Sequence, residues 1–129
     1  MFISEAFDFE APPEVVFSTL TDPERADRWA PPGVRVAWLD RDRVRVSFGN
    51  SGTVYQTRRP DGAMVVEWRR SGQPDLHGTV TVEDGPAGGS VLRLDATVPD
   101  GANAGRIREL VSGAVDQLRG DVADEVSPG

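Results

Sequence analysis

The stretch ANAGRIRELVSGAVDQLRGDVADEV, Ala102 to Val126, decides how the rest of the chain is read. Ile107, Leu110, Val111, Ala114, Leu118 and Val122 recur there at spacings of three and four, which draws one apolar stripe along a helix. Arg106, Glu109, Asp116, Arg119, Asp121 and Glu125 are expected mostly on the opposite side. At about 1.5 Å per residue the helix is roughly 37 Å long, and only a sheet built from the remaining sequence offers a surface to match it. Gly105, Gly113 and Gly120 each cost up to ~1 kcal/mol against alanine, so the helix is not tuned for rigidity.

Upstream of that helix the pattern is one of strands. Phe2 to Glu10 alternates, with Ile3, Phe7 and Phe9 on one face. Ala11-Pro12-Pro13 ends this strand and starts a short helix through Val16, Phe17 and Leu20, because proline suits the first helical position. Thr21-Asp22-Pro23-Glu24 offers a second helix start, and Pro31-Pro32-Gly33 closes that helix near Trp29. From Gly33 to Val98 the period is two, broken by turn-forming clusters at Asp40-Arg41-Asp42, Gly49-Asn50-Ser51-Gly52, Pro60-Asp61-Gly62, Ser71 to Asp75 and Asp84 to Ser90. The order is strand, two short helices, six antiparallel strands and the long helix. With no repeat and no linker, residues 1–129 read as one α+β domain. Its seven-stranded antiparallel sheet is wet on one face and curls around the helix with the other.

Two hairpins assign the faces. If Asn50-Ser51 is a two-residue loop, Val46 stands opposite Tyr55; if Asp61-Gly62 is another, Tyr55 stands opposite Trp68 and Thr57 opposite Val66. Both registers put Tyr55 and Thr57 on the face of Val46, Val66 and Trp68. The face turned toward the helix then holds Phe7, Phe9, Val36, Trp38, Val44, Val46, Tyr55, Val66, Trp68, Val80, Leu92 and Leu94, beneath Leu110, Ala114 and Leu118. Gly78, Ala96 and Ala114 are small at inward positions.

Composition narrows the function classes. Hydrophobic residues at 38% and charged residues at 27% are those of a soluble globule, and no apolar run approaches the ~18 residues of a membrane span. A net charge of −7, with every basic residue an arginine, argues against nonspecific binding to nucleic acid or anionic lipid. No secretory signal precedes the first strand and there is no cysteine, so a cytoplasmic address is expected, without disulfides or thiolate metal sites. His77 is the only histidine, and alternation points it outward with Thr79 and Thr81. No acidic calcium loop, serine elbow or phosphate loop is present, since Gly85 to Gly89 lacks a strand-to-helix setting. No metal or cofactor is called for. Tyr55 is the polar group of most interest on the inner face; as a phenol it donates a hydrogen bond more readily than it acts as a base. Glu5 and Arg59 share that face near strand ends, at the expected mouth.

Phe9-Glu10-Ala11-Pro12-Pro13-Glu14-Val15-Val16-Phe17, Thr21-Asp22-Pro23-Glu24 and Trp29-Ala30-Pro31 resemble the START-like (SRPBCC) superfamily of the birch-pollen-allergen fold. So does Arg59-Pro60-Asp61-Gly62 before a strand ending in Trp68. That superfamily includes polyketide cyclases and dehydrases, coenzyme Q-binding proteins and activators of a chaperone ATPase. The resemblance spans the chain and implies a helix-grip fold with a hydrophobic cavity between sheet and long helix. On that basis Trp38, Val46, Tyr55, Thr57, Val66, Trp68, Val80, Leu94, Leu110, Ala114 and Leu118 are the expected ligand-lining residues. The leading expectation is binding of a small hydrophobic or polycyclic molecule of polyketide, lipid or quinone type. Two alternatives stay open: a cyclase or dehydrase-like catalyst of aldol cyclisation or aromatisation, with Tyr55 and a rim arginine polarising a carbonyl, and a protein-interaction module with a collapsed cavity. No feature of the sequence fixes the oligomeric state.

Overall fold

The computed structural model describes residues 1–126. Its strands are β1 (Phe2–Phe9), β2 (Val34–Asp40), β3 (Arg43–Phe48), β4 (Ser51–Arg58), β5 (Val65–Arg70), β6 (Gln73–Asp84) and β7 (Ser90–Thr97); its helices are α1 (Pro13–Thr21), α2 (Ala26–Trp29) and α3 (Ala104–Val126). The seven strands form one antiparallel sheet in the order β1-β7-β6-β5-β4-β3-β2, and α3 is the one long helix among the described residues. This is the helix-grip arrangement.

Local chemistry explains the boundaries. Pro13 stands at the first position of α1, where its missing N–H is no loss. The Asp22 carboxylate accepts the Glu24 N–H at 2.9 Å, which turns the chain from α1 into α2. Asn103 caps α3, its Oδ1 accepting the Arg106 N–H at 3.0 Å. Strand β6 begins earlier than the Leu76 that alternation indicates, because Ser71-Gly72, with Gly72 at φ 82°, closes a tight loop that pairs Arg70 with Gln73.

Both expected hairpin registers are displaced by two residues. Phe48 faces Ser51, so Gly49-Asn50 is the loop and Val44, not Val46, stands opposite Tyr55. Gly49 takes φ 57°, the positive first loop position that favours glycine in a II′-type hairpin. On the other side Thr57 faces Trp68, not Val66. Pro60 has no N–H to extend the ladder, and the connection widens into a turn in which Ala63 N–H reaches the Pro60 carbonyl at 3.4 Å. A shift of two residues leaves every side chain on its face, and Tyr55, Thr57, Trp68, Val46 and Val66 still share one.

Two buried clusters fill the ends of the space between sheet and helix. One gathers Phe9, Val16, Val82, Leu92, Val115, Leu118 and Val122 where α1 meets α3; the other gathers Ile3, Ala96 and Val98, with Trp68, Leu76 and Ile107 packed against them. Asp121 departs from the expected polar side of α3. It is 7% exposed, and its Oδ1 takes Arg25 Nη1 at 3.0 Å and Arg28 Nη1 at 3.5 Å. Helix α2 covers that flank of α3, so a side chain that would otherwise be solvated becomes an interhelical clamp.

Candidate functional site

Between the two buried clusters the inner surface stays incompletely closed. Val46, Tyr55, Trp68, Val80 and Leu94 on the sheet, with Leu110 and Ala114 on α3, point inward yet are only half-buried. Helix α3 makes its close backbone approaches to α1, α2 and β1. Its two flanks are fixed at different places. Arg108 Nε donates to Glu5 on β1 at 2.9 Å, whereas a Cβ on Gly113 would meet Pro31 at 3.8 Å. Leu110 and Ala114 lie along the Gly113 and Asp121 flank by helical spacing, which turns them toward the β2 side of the sheet.

The expected lining residues divide. Leu118, 2% exposed, is deep in the cluster under α1 and holds α3 in place. Val66 is buried as well. The Thr57 hydroxyl donates to the Arg41 carbonyl at 3.0 Å and its N–H to the Asp42 carbonyl at 2.7 Å, so this side chain fastens the β2–β3 turn. Trp38 faces the helices, its Nε1 donating to the Leu20 carbonyl at 3.2 Å. Tyr55 stands edge-on to Trp68, with ring centroids 5.7 Å apart at 88°, the arrangement aromatic quadrupoles favour. Its hydroxyl has no protein hydrogen-bond partner among the described residues. Gly78 leaves less room than its size implies, for a Cβ there would clash with the Asp95 backbone carbonyl and lie 2.7 Å from Trp68 Cζ2: backbone and indole together occupy that space.

The polar groups at the rim differ in what they are committed to. Glu5 is paired with Arg108. Arg59 makes no ion pair among the described residues: its guanidinium carbon lies 4.5 Å above the Trp38 ring, and its Nε is buried with no hydrogen-bond partner among them. Burial, and then the like charge of Arg41, lower its pKa from the ordinary arginine value, against an opposing pull from Asp42. Its place at a strand end is legible in sequence, whereas its stacking on Trp38 joins positions with no periodic relation and is not.

Two grooves open elsewhere. One, of about 590 Å³, runs over the outer face of the sheet past Phe2, Gln56, Arg69, His77 and Thr97; His77 is exposed there, with Nδ1 2.9 Å from the Pro74 carbonyl. The other, of about 850 Å³, lies between Glu10, Pro86, Arg119 and Ala123. The first also touches Thr57, Trp68 and Gly78, and the second touches Phe9 and Val122 of the cluster under α1; neither is lined by Leu110 or Ala114. The inner gap is the better candidate because its walls are apolar side chains that the fold directs inward.

A seven-stranded antiparallel sheet gripping one long helix defines a class of helix-grip proteins. Residues 3–126 match the family described as polyketide cyclase / dehydrase and lipid transport, and the chain belongs to that family. No curated protein is a significant match. Among solved structures, a protein from Chromobacterium violaceum is similar with a TM-score of 0.75 at 18% identity, over 94% of this chain and 96% of that one. A START superfamily protein from Mycobacterium smegmatis has a TM-score of 0.72 at 15% identity, over 98% and 99% of the chains. An AHSA1-like protein from Aeromonas hydrophila has a TM-score of 0.71 at 17% identity, over 97% and 94%. At these identities the likeness is one of fold.

Among the described residues no helix is long and apolar enough to cross a membrane.

Proposed function

We propose that this protein binds a small hydrophobic or polycyclic molecule, of polyketide, lipid or quinone type, in the gap between α3 and the inner face of the sheet. The observation that carries the reading is the divided core: two closed clusters flank inward apolar side chains that are only partly buried. Apolar surface left accessible in a concave setting gains about 25 cal/mol per Å² when a ligand covers it. Family membership supports the same reading. We take the protein to act in the cytoplasm, which its lack of cysteine supports.

A second reading rests on Tyr55 and Arg59. The Tyr55 phenol and the Arg59 guanidinium, which has a buried Nε without a partner among the described residues, are donors suited to a carbonyl oxygen on which negative charge develops, as in an aldol cyclisation. The single histidine lies outside this gap, and the carboxylate on the inner face, Glu5, is engaged by Arg108.

Titration with the neutral fluorophore N-phenyl-1-naphthylamine tests the binding reading. Saturable binding at one site is expected, weakened at least tenfold by Ala114→Phe and unchanged by His77→Ala on the outer face. Absence of saturable binding, or sensitivity to the outer-face substitution alone, would overturn it.

A further inference from the structure

Arg59 follows the last residue of β4 and lies on the ring of Trp38, an indole held toward the helices by its bond to Leu20. The guanidinium carbon lies 4.5 Å from the ring centroid, a cation–π contact that holds the side chain in place. Its Nε is buried and has no acceptor among the described residues. A buried donor without a partner is costly in a folded protein, and an arginine Nε beside an Nη is a two-pronged donor that fits a carboxylate. The charges facing it do not satisfy it: Arg41 is of like sign, and Asp42 acts on it without forming an ion pair or hydrogen bond among the described residues. The acid on the same inner face, Glu5, is held by Arg108. In a chain of net charge −7, the inner rim thus keeps an uncompensated cation beside an apolar gap.

We propose that the ligand of this gap is an amphipathic organic acid, its carboxylate received by the guanidinium of Arg59 and its apolar body lying against Tyr55, Trp68 and Leu94. The inference rests on the binding reading above and narrows its ligand class: Trp38 pre-orders the arginine, so little side-chain freedom is lost on binding, and the acid supplies the missing acceptor.

The test compares 1-pyrenebutanoic acid with its methyl ester, two probes of one shape that differ in charge, on the wild type, Arg59→Gln and Arg59→Lys. The acid is expected to bind the wild type at least tenfold tighter than the ester. Arg59→Gln should weaken the acid by about 10- to 50-fold, in line with loss of a charge-assisted pair, and leave the ester within about twofold. Arg59→Lys, which keeps the charge and loses the fork, should fall between; it also serves if the glutamine variant fails to fold. Equal affinity for both probes, or equal weakening of both by Arg59→Gln, overturns the inference and leaves the binding reading standing. If neither probe binds the wild type, both fall together.

Discussion

Trp68 lies over Gly78 on the neighbouring strand, so close that a methyl group at Gly78 would sit 2.7 Å from Trp68 Cζ2, and it would press harder still on the Asp95 backbone carbonyl of the strand on the other side. The glycine therefore sets how the indole lies against the sheet, and through the edge-on contact with Tyr55 it shapes the wall of the gap. Gly78→Ala is expected to destabilise the fold by about 1–3 kcal/mol, the range for overpacking, and to shift tryptophan emission. Urea denaturation with fluorescence detection checks both; a change under about 0.5 kcal/mol with unaltered emission would count against this packing.

Tyr55 makes the opposite prediction. Its hydroxyl has no protein partner among the described residues, so Tyr55→Phe should leave stability within about 0.5 kcal/mol. The same change should weaken binding of ketone-bearing aromatic ligands several-fold, by loss of one hydrogen bond of about 0.5–1.5 kcal/mol. Thermal unfolding and a ligand titration, run together, separate the two effects.

The clamp between Arg25 and Asp121 should carry stability. Their side chains are 22% and 6% exposed, with Nη1 and Oδ1 3.0 Å apart, and Arg25 also reaches Glu125 at 2.9 Å. Asp121→Ala leaves Arg25 its pairs with Glu125 and Asp22 and also removes a buried Oδ2 that has no partner among the described residues. It is therefore expected to cost about 1–2 kcal/mol, well under the figure for breaking a fully buried pair. A double-mutant cycle with Arg25→Ala measures the coupling. A value near zero would mean that the pair is as weak as an exposed one.

At the β2–β3 turn, Arg43 donates to Asp40 at 2.7 Å and 2.9 Å, and this bond, helped by the Asp42 N–H, holds the Asp40 carboxyl below its ordinary 3.8. A depressed carboxylate favours the fold above its unfolded pKa, and that contribution is lost as pH falls through the folded one. Carbon-13 NMR titration should find Asp40 titrating below 3.8, with Arg43→Gln moving it back up. The stability difference between wild type and variant should shrink on acidification over the same range.

Much of this architecture is legible from periodicity alone, and the manner of its errors is informative. The Gly49-Asn50 loop and the wide turn at Pro60 each displace a register by two residues, and because side chains alternate with period two the face of Tyr55, Thr57 and Trp68 survives the error. Asp121 is misplaced because helical patterning weighs its charge and knows nothing of Arg25, which stands just before α2 and far away in sequence. Val115, buried under α1, falls outside the apolar stripe for a related reason: α1 widens the covered surface of α3 beyond what one sheet would cover. Of the site, the inward aromatics are readable. The commitments of their polar neighbours are not, because Thr57 to Arg41, Trp38 to Leu20 and Arg59 to Trp38 are tertiary contacts.

Native mass spectrometry of the purified protein, followed by solvent extraction, tests the central claim most directly. A bound hydrophobic molecule at one per chain is the expected result, extractable as an organic acid and reduced in occupancy by Ala114→Phe. A bare chain mass, together with no thermal shift from a panel of aromatic polyketides, quinones and fatty acids, would contradict a ligand held between α3 and the sheet.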